Sequence, residues 1–211
     1  MKIFYNKKGI ELSIGMIVVL ILSILIFALS VYLVFKWFKG AEFIKAEIDK
    51  QTEEQITAAL RAGNTLVAIP VAVRPAKKGD AVNFGLGIKN VGQEGDFSAA
   101  LSFAGAYATN GNPIIVDEEY MNKNWLGNFN VVETFHLKKN EQKLMPIQVR
   151  AYQAIQEGVL TPKGDYVFNV CVYDKPLQDG MPWAECSVAQ YNIAASSYYT
   201  GKIYQVTVRV I

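Results

Sequence analysis

The chain has 211 residues, a formal net charge of +2 and 51% hydrophobic residues, with 21 basic against 19 acidic side chains. That balance leaves no basic surplus to neutralise a phosphate backbone, so nucleic acid is excluded as a partner class. One histidine and two cysteines leave little material for a histidine-based triad, a zinc site or a disulfide-dense scaffold.

In chain order the first feature is residues 14–35, IGMIVVLILSILIFALSVYLVF, an uncharged run softened only by Gly15, Ser23, Ser30 and Tyr32. About 20 apolar residues suffice for a helix to cross roughly 30 Å of hydrocarbon, and a helix satisfies its own backbone there. The run is therefore expected to be a transmembrane helix, with the lipid bilayer as a partner. Lys2, Lys7 and Lys8 before it nearly balance Lys36 and Lys39 after it. Because long domains translocate largely regardless of charge, the expected orientation is a cytoplasmic N-terminus and an extracellular C-terminal domain.

Residues 39–62, KGAEFIKAEIDKQTEEQITAALRA, hold no proline and place Phe43, Ile44, Ile48, Ile56, Ala59 and Leu60 near one helical face. Gly63-Asn64 supplies a helix stop. The apolar run and this segment read as one continuous helix, apolar and then amphipathic. Its apolar stripe needs a surface, either the domain that follows or neighbouring copies of the same helix.

From Thr65 the period changes. Residues 66–73 are β-like, with Pro70 and Pro75 indicating an edge or a sheet-switching strand. Val82, Phe84, Leu86 and Ile88 then alternate with polar or small neighbours across residues 81–90, a period-two strand. Further strands are expected at 97–103, 131–137, 143–151, 165–173 and 202–211. Residues 107–130, rich in Asn and Gly, read as a long loop or insertion, and residues 175–197, with Pro176, Gly180 and Pro182, read similarly. The expected fold class is α+β: a long N-terminal α-helix, transmembrane and then amphipathic, followed by an antiparallel immunoglobulin-like β-sandwich over residues 64–211.

The sequence holds no GxSxG, no HExxH and no phosphate-cradling glycine loop. His136, in VVETFHLKK, reads as a strand residue and not as a base. No enzymatic activity, cofactor, metal or small-molecule substrate is expected. Asp117-Glu118-Glu119 lacks the oxygen spacing of a calcium loop and reads as a solvated charge run. Cys171 and Cys186 are too far apart for a CxxC motif. In an oxidising compartment a disulfide would tie the second long loop to its strand; otherwise they are two buried thiols.

The segment Lys7-Lys8-Gly9-Ile10-Glu11-Leu12-Ser13, immediately before the apolar run, resembles the class III signal of type IV pilins and related archaeal filament subunits. The resemblance implies a processing site formed by Lys8, Gly9, Ile10 and Glu11, cut after Gly9 by a prepilin-type peptidase. It divides the chain into a leader (1–9), a filament-core helix (10–38), an amphipathic continuation (39–63) and a head (64–211). In such proteins the helix stays on the mature subunit and packs against copies of itself in an adhesive surface filament. Here the only nearby acid is Glu11, whereas bacterial members would carry a glutamate where Ile14 stands; archaeal members vary more at this position. The head is similar to immunoglobulin-like modules of archaeal and bacterial surface proteins, on VRPAKKGDAVNFGLGIKNVGQEGDFSAALSF, KGDYVFNVCVYD and GKIYQVTVRVI. Two functions follow as expectations: a structural subunit of a pilus-like filament, or a single-pass, membrane-anchored binding or assembly module that does not polymerise.

Overall fold

The structure is a computed structural model that describes residues 14–42, 49–63, 65–127, 131–177, 186–187 and 198–211; among these, the side chains of 14, 28, 31–42 and 131–133 are outside the description. The chain divides into two compact units, Met1–Lys45 and Ala46–Ile211. In the first, an apolar run without proline gives helix α1 (Ile14–Glu42), although it is rich in Ile and Val, which are only middling helix formers. Ser23 and Ser30 donate their hydroxyls to the carbonyls of Val19 and Ile26, each at 2.8 Å, so neither leaves a hydroxyl unsatisfied.

The second unit begins with helix α2 (Lys50–Arg61). Asp49 has extended backbone (φ −62°, ψ 146°), and its carboxylate accepts from the Thr52 amide at 2.8 Å, as an N-cap does. The chain therefore starts a new helix at Asp49, which corrects the expectation of one continuous helix. Ile56 and Leu60, one turn apart, are fully buried on the face that meets the sheet.

Among the described residues ten strands follow: β1 (Val67–Ala68), β2 (Val73–Ala76), β3 (Ala81–Lys89), β4 (Gly95–Ala108), β5 (Val131–Leu137), β6 (Gln142–Arg150), β7 (Ala154–Gln156), β8 (Val159–Leu160), β9 (Gly164–Tyr173) and β10 (Tyr204–Val210). One sheet has the order β1-β3-β6 and the other β2-β10-β9-β4-β5, while β7 and β8 form a small ribbon. The two main sheets share one core: Phe84, Leu86, Ile88, Ile147 and Val149 from the first meet Leu101, Phe103, Phe168, Val170, Val206 and Val208 from the second. Alternation along each strand produces this inward face.

Each sheet also has a partner on its outer face. On the first, glycine at 87 leaves a notch: a Cβ built there would collide with Ile56 Cγ2 and come within 3.0 Å of Leu60 Cδ1. Helix α2 fills that notch, burying Ile56 and Leu60 with Ala68. On the second sheet, Ala100, Cys171 and Tyr173 pack with Cys186 and Tyr198.

The structure corrects the fold class. It is mainly β, not α+β, because α2 and the short helix α3 (Glu118–Met121) are accessories to the two sheets. The sandwich is not wholly antiparallel either: β2 runs parallel to β10, pairing Thr207 with Val73 and Val210 with Ala76. Pro75, in that outermost strand, lacks an amide hydrogen and so suits an edge position.

The single-pass, membrane-anchored localisation, with its cytoplasmic N-terminus and extracellular domain, is corrected as well. Among the described residues, no helix is long and apolar enough to cross a membrane.

Within the expected loop or insertion, residues 107–127 form an insertion with structure of its own. Strand β4 continues to Ala108, and the chain then forms α3 and a π-helical turn over Asn122–Leu126. Met121, Trp125 and Leu126 on this insert are buried in the core. The Trp125 ring lies 4.5 Å from that of Tyr166, and its indole N–H donates to the Ala154 carbonyl at 3.0 Å. A buried indole needs such an acceptor, and the short β7 strand provides it.

Candidate functional site

Three features of the described residues carry polar or apolar groups that the fold itself does not consume. The first is α1. Met16 to Leu22 are seven consecutive residues, and at 100° per residue they point in every direction around the helix. All of these apolar side chains, with Ile24 to Phe27 and Leu29, are 45–71% exposed where they are described. A soluble surface helix would show a polar face. This stretch shows none.

The second feature is the only histidine of the chain. His136 lies near the end of β5, opposite Asp96 at the start of β4. Its Nδ1 is 2.8 Å from Asp96 Oδ1, and its Nε2 is 2.9 Å from Glu94 Oε1. Each ring nitrogen thus faces its own carboxylate, and only the imidazolium can donate to both. The hydrogen bond to Glu94, followed by that to Asp96, holds its pKa above the ordinary imidazole value. All three side chains are about half exposed.

The third is an open cleft of about 480 Å³, lined by Tyr107, Thr109, Gly111, Gly164, Asp165 and Arg209. Arg209 donates from Nε and Nη2 to the two Asp165 oxygens at 2.7 and 2.9 Å. That bidentate pairing across β9 and β10 holds the Asp165 carboxyl below its usual range. It also occupies the guanidinium fork that an anionic ligand would need.

The residues singled out in the sequence fall in different places. Lys8, Gly9, Ile10 and Glu11 lie outside the described residues. Cys171, on β9, and Cys186 are joined by a disulfide with Cα atoms 5.6 Å apart. The Ser102 hydroxyl donates to the Cys186 carbonyl, so the bridge and this hydrogen bond together fasten that segment to the outer face of the second sheet. Asp117 caps α3 by accepting from the Tyr120 amide at 3.0 Å. No group of three metal-ligating side chains occurs among the described residues.

Sequence reasoning missed the His136 cluster and the Asp165–Arg209 pair. Both join residues about 40 positions apart, on strands whose register only the folded sheet displays. The available signal was the short spacing of Glu94 and Asp96 just ahead of an expected strand.

No protein family and no curated protein matches the sequence. Among solved structures, the chain is similar to a family 123 glycoside hydrolase from Clostridium perfringens, at 13% identity over 66% of this chain and 22% of that one (TM-score 0.35). It is also similar to the alkylpurine DNA glycosylase AlkC of Pseudomonas fluorescens, at 10% identity over 74% of this chain and 33% of that one (TM-score 0.36). A third is the class 5 fimbriae chaperone CfaA, at 11% identity over 69% and 56% (TM-score 0.32). The chain thus spans between about a fifth and just over half of these proteins. Likeness at this level carries no functional argument.

Proposed function

We propose that the protein is a structural subunit of a type IV pilus-like filament, assembled through α1 and displaying the β-sandwich. The observation that carries this reading is the exposure of apolar side chains on every side of α1. Apolar patches of that extent mark interaction sites, and a helix apolar all round needs apolar neighbours all round. Copies of α1 packed together supply them. The resemblance of residues 7–13 to a class III signal supports the same reading. The head fits such a role because Ala46–Ile211 forms a compact unit with its own core.

The test is association of the full chain. Light scattering and electron microscopy in detergent-free buffer should find multi-subunit particles or filaments. The double substitution Ile21→Glu and Leu25→Lys should dissolve them while head unfolding stays as in the parent. A parent chain that remains monomeric, or a variant that assembles equally well, overturns the proposal. Mass spectrometry of the chain isolated from its native cells adds a second check: a subunit beginning at Ile10 agrees with processing, and an intact leader argues for a module that does not polymerise.

A further inference from the structure

An edge strand offers unpaired backbone groups to other chains unless something guards it. Among the described residues, the edges of the two main sheets are β1, β6, β2 and β5. Strand β1 is two residues long, β6 carries Pro146 and β2 carries Pro75. Strand β5 is seven residues, VVETFHL, and has no proline. Its register with β4 runs through three consecutive pairs, Leu137 with Gly95, His136 with Asp96 and Phe135 with Phe97, and then slips at a bulge between Phe97 and Ala99. Pairing resumes beyond the bulge at Ala99 with Val132 and Ala100 with Val131, so the end of β5 that bears the His136 cluster is held by the three pairs before it.

We propose that His136 is a proton-operated latch on this edge. As an imidazolium it ties β5 to Asp96 on β4 and to Glu94 in the turn before β4. As a neutral ring it must release one of them. The geometry requires the charged form, because each nitrogen faces a carboxylate oxygen within 2.9 Å and a neutral imidazole has one N–H. Among the described residues, the charges acting on the ring are those of Glu94 and Asp96, from the turn and from β4. Both raise its pKa, and partial burial opposes them.

The sign follows from linkage. A group whose pKa is raised on folding contributes stability that is fully present below its unfolded value, about 6.5, and is lost as pH rises through the higher folded value. The latch is closed on the acid side of that step, while both carboxylates remain ionised, and open on the alkaline side. The inference concerns the head alone and stands whether or not α1 assembles.

Because the chain has one histidine, its titration can be read without assignment. Exchange of the imidazole C2 proton, followed by mass spectrometry on the full chain, should give a midpoint above the ordinary imidazole value. Glu94→Gln combined with Asp96→Asn should bring it down. Amide exchange in peptides covering β5, corrected for intrinsic rates, should show a loss of protection as pH passes the His136 midpoint. His136→Gln should abolish that step. A midpoint at or below the ordinary value overturns the latch. So does β5 protection that ignores the midpoint, or an unchanged step in His136→Gln.

Discussion

The two longer helices solve the same problem in different ways. Helix α2 is polar except for a narrow stripe, and that stripe has one destination: Ile56 and Leu60 enter the notch above Gly87 and are fully buried. Helix α1 has no stripe, and its apolar side chains stay 45–71% exposed. A stripe can be satisfied by one neighbouring sheet, whereas an apolar cylinder needs neighbours on all sides. The contrast teaches that α2 belongs to the fold of the second unit, whereas α1 keeps its apolar surface exposed.

The largest expected effect strikes at α2. Leu60→Ala or Ile56→Ala removes a fully buried side chain from a preformed notch and should cost about 2–5 kcal/mol in denaturant unfolding of the second unit. Gly87→Ala attacks the same contact from the sheet side. The added methyl meets Ile56, and a loss of about 1–3 kcal/mol is expected in the same measurement.

A smaller effect is expected at the start of α2. The Thr52 amide and hydroxyl, with Arg74, hold the Asp49 carboxyl below its usual range. A depressed carboxyl contributes stability above its unfolded pKa and loses it as pH falls through the folded one. The melting-temperature gap between the parent and Asp49→Asn should therefore be open at neutral pH and narrow in acid. A gap independent of pH would show that the carboxylate charge is irrelevant there.

The smallest effect belongs to α1. Ile21→Ala or Leu25→Ala should move head unfolding by no more than about 0.5 kcal/mol, the range of exposed sites. Association would be the only property to change. If either substitution destabilised the head as Leu60→Ala does, the division between the helices would collapse.

Much of the head was legible because its signals are local. The alternation of Val82, Phe84, Leu86 and Ile88 marks β3, and the expected strand at 131–137 coincides with β5. Gly87 was legible only as a small residue in a strand, since its meaning depends on a helix 27–31 positions earlier. Trp125 lay in a stretch whose Asn and Gly content reads as loop. Its burial comes from the open space between two sheets, which no local pattern reveals.

The same division of causes runs through the molecule. The amino-acid sequence alone determined that residues 14–35 form an uncharged apolar helix and that strands recur from Thr65 onward. These follow from periodicity and side-chain chemistry within a dozen residues. Tertiary structure decided that α2 docks on β3, that β2 runs parallel to β10, that an apparent loop plugs the core, and that His136 meets two carboxylates. Each depends on which distant strands become neighbours and in what register, and register is set by packing the whole sheet against its partner.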